Sequence, residues 1–213
     1  MIVNDRITDY IRSLEPEESP LIHEIGKKAR QNGVPVIREE TAAFLKTMTA
    51  AMNPKAILEV GTAVGYSTLL MAEVMAFDCH ITTIEKYEKR IPEARSNFEK
   101  AGETKRITLL EGDAEELLKG LTGPFDLVFM DAAKGQYLAW LPRILELMRT
   151  GGMLISDNVL QDGDIVESRY AVERRNRTIH GRMREYLYEL KHSPLLTTTI
   201  VPIGDGITVS IKK

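Results

Sequence analysis

The amino-acid sequence predicts an α/β fold with a mostly parallel seven-stranded sheet, helices on both faces and an antiparallel C-terminal strand. From residue 56 onward, short β-branched apolar runs alternate with helical segments. This alternation is typical of parallel sheets, because crossover helices return the chain and cover both faces. The first 55 residues instead carry apolar residues at helical spacing, and the closing residues contain two strand-like runs around a turn. Together these features predict one sheet, preceded by helices and closed by a hairpin.

The N-terminal part predicts three helices, in the segments ITDYIRSL, LIHEIGKKARQNG and REETAAFLKTMTAAM. Apolar residues recur there every three or four positions, and the second and third segments stop at Gly33 and before Asn53, where helices commonly end. No linker rich in Gly, Ser or Pro follows them. We therefore expect one domain over residues 1–213, with a helical N-terminal extension at 1–55 and the core at 56–213.

Five apolar runs predict the parallel strands, namely AILEV, HITTIE, RITLLEG, FDLVFMD and GGMLISDN. Segments such as SNFEKAG and AEELLKGL between them predict crossover helices. A long polar helix is expected over residues 166–191, before the closing segment TTTIVPIGDGITVSIKK. The Gly204-Asp205-Gly206 turn in that segment is typical of a hairpin, so the last strand should run antiparallel to its neighbour.

Composition excludes several classes of protein. With 213 residues and 43% apolar content, the chain can form one well-packed α/β domain. Its net charge of −3 gives no global sign of a nucleic-acid binder, so such a partner would need a local basic patch. The single cysteine, Cys79, excludes an internal disulfide framework and a Cys-based zinc site. No apolar run resembles a signal peptide or approaches roughly 18 residues, so we expect a soluble, cytoplasmic protein.

The loop after the first strand predicts a nucleotide site, because ligands of open α/β sheets bind beyond the carboxyl ends of the strands. The loop GTAVGYS places Gly61 and Gly65 four residues apart, which fits neither the dinucleotide pattern nor a phosphate-binding loop. Glu85 ends the next strand, where it could hold a ribose diol, and EGDA ends the third. These features favour a nucleoside without phosphates, such as S-adenosylmethionine. The alternatives are a plain tight turn and an NAD-dependent dehydrogenase, which the glycine spacing disfavours.

Two further strands end in oxygen-bearing side chains. VFMDAAKGQY ends its apolar run at Asp131 and places Lys134 three residues later, and MLISDN leads directly into Asp157 and Asn158. Carboxylate and amide oxygens are hard donors that suit magnesium. By itself, Asp-Asn after a strand is usually turn chemistry, and Lys134 alone could be a solvated surface lysine. The pairing of the two strand ends favours a metal site.

Five motifs in order, LEVGTAVGYS, TTIEK, EGDAEE, FMDAAKGQY and ISDNVL, resemble those of the metal-dependent class I O-methyltransferases. This is the family that contains the catechol and caffeoyl-CoA O-methyltransferases. The match runs from about Pro35 to the C-terminus, and it implies a Rossmann-like fold with S-adenosylmethionine as methyl donor. Within the family, the wording DAAKGQY and PIGDGITVSIKK most resembles the bacterial enzymes that methylate 5-hydroxyuridine at the wobble position of tRNA.

The resemblance implies roles for the residues that match its motifs. Asp131, Asp157 and Asn158 would hold a divalent ion such as Mg²⁺, and Lys134 would be the general base, since a nearby cation disfavours its protonated form. A chelating ion also explains an acceptor with two adjacent oxygens. The resemblance further implies a homodimer formed through the N-terminal helices. The implied donor contacts are Ile37, Glu59, Gly61, Tyr66, Ser67, Glu85, Asp113, Ala114 and Asp131.

The segment after ISDNVL bears on the acceptor. From residue 168 to 184 it carries six arginines against one acid, Glu173. A basic surface at the mouth of the site suits the anticodon-loop backbone of tRNA, but also the phosphates of a coenzyme-A thioester, or simply a solvated helix face. Tyr137 and Trp140 could stack on a base or be core aromatics. The candidate RNA-binding residues are Arg169, Arg174, Arg175, Arg177, Arg182 and Arg184.

A small catechol-like or caffeoyl-CoA-like phenol is the alternative acceptor, because the core motifs serve either substrate. A non-catalytic nucleotide-binding module with the same fold is a further alternative. It would predict the loss of a metal ligand or of the lysine, whereas Asp131, Lys134, Asp157 and Asn158 are all present. The sequence therefore favours an enzyme.

Overall fold

The computed structural model describes residues 3–213, and its centre is a seven-stranded sheet with strand order β3-β2-β1-β4-β5-β7-β6. The fold class predicted from the sequence is confirmed. The strands are β1 Ala56–Val60, β2 His80–Glu85, β3 Ile107–Glu111, β4 Phe125–Met130, β5 Met148–Ser156, β6 Leu196–Val201 and β7 Ile207–Lys212. The helices are α1 Asp5–Ser13, α2 Pro20–Gln31, α3 Glu39–Met52, α4 Tyr66–Val74, α5 Ile91–Lys100, α6 Ala114–Gly120, α7 Tyr137–Leu147 and α8 Arg177–His192. Short 3₁₀ helices occupy Lys134–Gln136, Gln161–Val166 and Arg174–Asn176.

The first five strands are parallel, and the strand order reverses between β1 and β4. Strand β7 runs antiparallel to both β5 and β6, so the predicted antiparallel C-terminal strand is confirmed. The hairpin folds back so that β7 lies inside the sheet and β6 forms its edge. Because ligands of such sheets bind where the strand order reverses, the carboxyl ends of β1 and β4 are the expected site.

The core lies on both faces of the sheet, as alternation along β4 requires. Leu127 and Phe129 pack against α2, α3, α4 and α5, whereas Val128 and Met130 pack against α6, α7 and α8. All four side chains are fully buried, which explains why β4 is apolar throughout rather than alternating with polar residues. Since α2 and α3 share one apolar cluster with α4 and the sheet, the N-terminal helices are packed onto the core.

The prediction of one helix over residues 166–191 is wrong at its start. The helix α8 begins at Arg177, and residues before it form a loop with two 3₁₀ turns. Glu167 and Glu173 have ψ angles of 157° and 136°, which no continuous right-handed helix accommodates. The Arg177 side chain donates to the carbonyl oxygens of Tyr170 and Val172, both at 3.2 Å, so these carbonyls are satisfied without helical hydrogen bonds.

Within residues 3–213, none of the helices combines the length and the apolar content needed to cross a bilayer.

Candidate active site

A cavity of about 510 Å³ opens at the carboxyl ends of β1 and β4. Its walls come from the loops after the first five strands, from the segment between α2 and α3, and from the turn between β6 and β7. Most residues predicted to contact the donor line it: Ile37, Gly61, Tyr66, Ser67, Glu85, Asp113, Ala114 and Asp131. The predicted metal ligands and Lys134 line it as well. The structure therefore brings both groups of residues into one cavity.

The glycines of the β1–α4 loop allow neighbouring elements to pack closely against it. Gly61 has φ +108°, and a side chain there would overlap the carbonyl oxygen of Asp131. Gly65 has φ +86°, and a side chain there would overlap the ring of Phe98. Both positions thus require glycine for backbone conformation and for contact with neighbouring elements. The positions of these two glycines are therefore set by contacts with Asp131 and Phe98, which the sequence alone does not reveal.

Glu85 is placed to bind a diol. It is 8% exposed at the end of β2, and its carboxylate accepts hydrogen bonds from the backbone N–H groups of Ala63 and Tyr87, both at 2.7 Å. Each carboxylate oxygen keeps acceptor capacity beyond the bond it already makes. Because the side chain is fixed and faces the cavity, it suits two adjacent ribose hydroxyls.

Glu59 does not line the cavity, contrary to the predicted donor contact. It is fully buried in β1 and accepts hydrogen bonds from the hydroxyls of Ser67 (2.6 Å), Thr68 and Thr83 (2.5 Å). Burial raises the pKa of its carboxyl group to about 7, against the opposing effect of these hydroxyls. Glu59 therefore acts on the site indirectly, by orienting Ser67, which lines the cavity.

Asp113 and Ala114, at the start of α6, line the part of the cavity that carries the predicted donor contacts, which we call the donor half. Asp113 caps this helix by accepting from the N–H of Glu115 at 2.9 Å, and it pairs with Lys86 at 3.2 Å. Ala114 is buried beside it. The start of α6 therefore places Asp113 and Ala114 on the wall of the cavity, where they could contact the adenine edge of a donor.

Two other predicted donor contacts close the cavity from the side of the N-terminal helices. Tyr66 donates its hydroxyl hydrogen to Glu18 at 2.5 Å, with the guanidinium of Arg30 lying 5.4 Å from its ring centre. Ile37 is 4% exposed and lies in the segment between α2 and α3. The N-terminal helices therefore complete the donor half.

The predicted metal ligands meet at the ends of β4 and β5. Residues Met130 and Ser156 are paired in register, so the following Asp131 and Asp157 lie side by side. Asn158, with φ +63°, donates its amide hydrogens to Asp131 Oδ1 at 3.3 Å and to Asp157 Oδ2 at 2.9 Å. Across residues 3–213, no cluster of three or more His, Cys, Asp or Glu side chains is placed to hold a metal, so the third donor of this set is an amide.

The carboxyl groups of Asp131 and Asp157, at the ends of β4 and β5, suit a divalent cation. Burial raises the pKa of Asp131 to about 6 and that of Asp157 well above its usual range, and for Asp157 the neighbouring Asp131 adds to the effect. Asp157 is buried and Asp131 is half-buried, so a cation beside them would stabilise both carboxylates as anions. In this structure Asn158 turns its N–H to the carboxylates and its carbonyl to Lys134, so it can act as a ligand only after its amide turns over.

Lys134 contacts the same group. Its Nζ donates to Asn158 Oδ1 at 2.7 Å, and its 3₁₀ turn follows Asp131 directly. The lysine therefore lies at the acceptor end of the cavity, beside the predicted metal ligands. The role of each predicted site residue stays a prediction, but their positions agree with the roles, apart from that of Glu59.

Sequence reasoning missed Asp205. The Gly204-Asp205-Gly206 segment was interpreted only as a hairpin turn, yet Asp205 lines the cavity, and burial raises the pKa of its carboxyl group to about 6. The antiparallel pairing of Ser156 with Thr208 brings this turn to the edge where Asp157 lies. The signal was available, because an antiparallel final strand must begin where the parallel strands end.

Arg38 was also missed, and it joins Asp205 at the rim. Its Nη2 atom lies 2.8 Å from Asp162 Oδ1 and 2.5 Å from Asp205 Oδ1. Nothing in the sequence connects Arg38 with these two aspartates, which lie more than a hundred positions after it.

None of the six arginines predicted to bind RNA lines the cavity. Four of them bond within the protein. Arg177, Arg182 and Arg184 donate to backbone carbonyls: Arg177 to those of Tyr170 and Val172, Arg182 to that of Gly135 at 3.0 Å, and Arg184 to those of Ile165 and Glu167 at 3.4 Å. Arg175 forms an ion pair with Glu173 at 2.7 Å. These arginines hold the loop before α8 in place. Within the described part of the chain, Arg169 and Arg174 are exposed and their side chains make no hydrogen bond or ion pair.

The two aromatic candidates for base stacking differ. Tyr137 is fully buried; its hydroxyl donates to the carbonyl of Met130 at 3.0 Å and accepts from the N–H of Ala132 at 3.1 Å. It is a core residue, so the stacking interpretation is wrong for it. Trp140 is 6% exposed, lines the cavity, and has an indole N–H without a hydrogen-bond partner among the described residues.

Comparisons with known proteins agree with the geometry. A family model described as O-methyltransferase matches residues 12–213. The chain is 31% identical to caffeoyl-CoA O-methyltransferase of Eucalyptus gunnii over 98% of this chain and 88% of that protein. It is 30% identical to catechol O-methyltransferase of Niastella koreensis over 76% of each. An S-adenosylhomocysteine-bound methyltransferase from Podospora anserina superposes with a TM-score of 0.88 at 27% identity, over 98% and 94% of the two chains.

The chain belongs to the O-methyltransferase family. It is a member of the S-adenosylmethionine-dependent class, as the comparison with the S-adenosylhomocysteine-bound structure supports. The resemblance found in the sequence motifs is therefore confirmed at the level of the family.

The buried carboxyl of Glu59 predicts a specific dependence of stability on pH. Its pKa is raised from 4.5 to about 7, so its stabilising contribution is full below pH about 4.5 and is lost as pH rises through about 7. As the pH rises from 5 to 8.5, the parent protein should lose up to about 3 kcal/mol of unfolding free energy that the Glu59→Gln variant keeps. Urea unfolding across this range measures it, with exposed Glu99→Gln as control. Parallel stability curves for Glu59→Gln and the parent would contradict the assignment.

Proposed function

We propose that the protein transfers a methyl group from S-adenosylmethionine to one hydroxyl of an acceptor with two adjacent oxygens, with the help of a divalent ion such as Mg²⁺. The observation that carries the proposal is the convergence of Asp131, Asp157, Asn158 and Lys134 at one end of a cavity whose other end holds Glu85. A donor site and a hard-oxygen metal site therefore share one enclosed space.

The acceptor end provides ligands and a base. Asp131, Asp157 and Asn158 would hold the ion, which when bound supplies a Lewis acid that orients the two acceptor oxygens and lowers the pKa of the hydroxyl. The Lys134 side chain, in its neutral amine form, would accept the hydroxyl proton at Nζ and become an ammonium group. The acceptor oxygen then bonds to the methyl carbon while the carbon–sulfur bond breaks and sulfur keeps the electron pair. No covalent enzyme intermediate is needed, so the work of the protein is to align the two reactants.

The donor end positions the methyl group. Ser67, oriented by Glu59, and the Gly61 backbone would hold the methionine portion of the donor. Glu85 would bind the ribose hydroxyls, with Asp113 and Ala114 at the adenine edge. Ser67, Glu85 and Ala114 are buried, which limits access of water to the reacting atoms and strengthens the electrostatic interactions among them.

We propose 5-hydroxyuridine at the wobble position of tRNA as the acceptor. Its 5-hydroxyl and 4-carbonyl are adjacent oxygens that can chelate one ion. Arg182 bonds to Gly135, which ties the arginine-containing segment to the turn that carries Lys134. That segment exposes Arg169, Arg174 and Tyr170, the last at 84%. Exposed cations and an exposed ring support contacts with a single-stranded anionic loop, and a cytoplasmic location fits this acceptor.

A small phenol is the second candidate, and the comparisons favour it. The relatives at 30% and 31% identity are named for catechol and caffeoyl-CoA, and a catechol also presents two adjacent oxygens. In this case Arg169 and Arg174 would contact the phosphates of a coenzyme-A thioester or have no substrate role.

Methyl transfer to wobble-hydroxylated tRNA tests the acceptor directly. Nucleoside mass spectrometry should detect 5-methoxyuridine with magnesium and none with a chelator, while catechol and caffeoyl-CoA stay unmodified. Turnover of the phenols alone would overturn the tRNA proposal and leave the donor, the metal and the base in place.

Asp157→Ala should abolish methyl transfer while leaving donor affinity within about twofold, because Asp157 lies at the metal end of the cavity. Activity assays and calorimetric titration with S-adenosylhomocysteine measure the two effects. Asp164→Ala is a matched control, since Asp164 is exposed and its side chain lies outside the cavity. A fully active Asp157→Ala variant at low magnesium would refute the metal site.

The double substitution Arg169→Ala/Arg174→Ala should weaken tRNA binding and reduce the salt slope of log Kd by about 1 to 2, as expected when two phosphate contacts are lost. Filter binding at several salt concentrations measures it. The control is Arg6→Ala/Arg95→Ala, which removes the same charge elsewhere. Equal affinity of the two double variants at every salt concentration would remove the support for an RNA surface.

We also propose that the protein forms a homodimer through α1. Ile7, Tyr10, Ile11 and Leu14 recur at three- and four-residue spacing and are each between 41% and 65% exposed. They form an apolar stripe that is left uncovered by the rest of residues 3–213. Tyr10→Asp/Leu14→Asp should convert a dimer into a monomer in light scattering, whereas Phe77→Asp, at a residue 92% exposed elsewhere, should not. A parent protein that is monomeric at micromolar concentration would contradict the dimer.

A further inference from the structure

One guanidinium connects three loops at the rim of the cavity. Arg38 Nη2 lies 2.8 Å from Asp162 Oδ1 and 2.5 Å from Asp205 Oδ1, and we refer to these three residues as the Arg38 clasp. The Arg38 side chain is 28% exposed and that of Asp205 is 21% exposed. Partly buried ion pairs of this kind are screened less by solvent than surface pairs.

The clasp joins the two halves of the cavity. Arg38 follows Ile37, which lines the donor half, and it precedes the first residue of α3. Asp162 lies four residues after Asn158, in the loop that leaves the metal ligands. Asp205 lines the cavity from the β6–β7 turn. A contact at Arg38 therefore links the segment over the donor to the loops beside the acceptor.

The two acidic partners belong to one structural unit. The N–H of Leu160 donates to the carbonyl of Asp205 at 3.0 Å, and the N–H of Val159 donates to the carbonyl of Gly206 at 2.9 Å. A side chain at Gly206 would overlap Leu160, so the turn and the loop after Asn158 are closely packed. The loop and the turn must therefore move together, and Arg38 connects both of them to the donor side.

The charges of the Arg38 clasp hold the loop and the donor segment together. The carboxylates of Asp162 and Asp205 both lie against the Nη2 atom of Arg38, which is the cation that faces both. Asp162 also has a left-handed backbone, with φ 54°, which an L-residue adopts at a cost. Without the guanidinium, the two carboxylates would repel each other and would add to the charges of Asp131 and Asp157. Loss of Arg38 should therefore favour separation of the loop from the donor segment.

We propose that Arg38 is a positioning residue that couples occupation of the donor half to ordering of the acceptor-side loop, residues 159–167. Donor binding orders the segment containing Ile37, and the clasp transmits this order to the loop that follows the metal ligands. The inference rests on the proposed donor site and adds that the two substrates bind cooperatively.

Hydrogen exchange followed by mass spectrometry tests the coupling without any methyl transfer. Saturating S-adenosylhomocysteine should slow exchange in residues 33–41 and in residues 159–167 of the parent protein. In Arg38→Ala the donor should bind on the order of tenfold more weakly. At saturation its protection of residues 159–167 should be lost, while residues 33–41 keep some protection. Arg38→Lys should restore part of the effect, and Arg95→Ala, which breaks the exposed pair with Glu111, should behave like the parent.

The outcomes separate this inference from the proposed function. If the parent protein does not bind S-adenosylhomocysteine, the proposed function fails and the coupling fails with it. If the parent binds but residues 159–167 exchange unchanged, or if Arg38→Ala protects them as the parent does, only the coupling is overturned. If Arg38→Ala does not fold, the double variant Asp162→Asn/Asp205→Asn carries the test, because it removes both carboxylate partners of Arg38 while keeping the shape of the side chains. Retained protection of residues 159–167 in this double variant would also overturn the coupling.

Discussion

The placement of two carboxylates at adjacent strand ends is the constraint on which the candidate site depends. The β4–β5 register places Asp131, which is half-buried, beside Asp157, which is buried, and the low exposure of this pair makes their joint ionisation costly. The Asn158 amide donates to both carboxylates, and Lys134 Nζ donates to that amide. The apolar strands β4 and β5 therefore hold two acidic side chains where a cation would offset the cost of their charges.

Two buried tyrosines hold the strand ends that carry Asp131 and Asp157 in place. The Tyr137 hydroxyl bonds to the backbone on both sides of Asp131, and the Tyr186 hydroxyl bonds to Ser156 at 2.6 Å, directly before Asp157. The two rings also contact each other edge to face, with centres 5.6 Å apart. Two aromatic residues from different helices therefore fix the two strand ends as a pair, which is the kind of preorganisation that a metal site requires.

Much of the fold and of the site follows from local pattern. Short apolar runs ending in acids specify both the strands and the edge where ligands bind, so Glu85, Asp131 and Asp157 could be placed from sequence. Residues whose role depends on distant partners could not. Arg38 and Asp205 are 167 positions apart, and Gly61 is required by the carbonyl of Asp131 at the end of β4. Four arginines that were predicted to bind RNA bond within the protein. Charge and spacing predict where a side chain is available, but only tertiary packing shows whether another group already occupies it.

The position of β7 between β5 and β6 also has a consequence for biosynthesis. Strand β5 leads into Asp157 and Asn158, yet its second neighbour is the last strand in the chain order. Until β7 emerges from the ribosome, β5 presents unpaired backbone groups along one edge, which is a surface prone to wrong pairing. The edge that carries the candidate site is therefore among the last parts of the nascent protein to be completed, and any chaperone protection would be needed most in that interval.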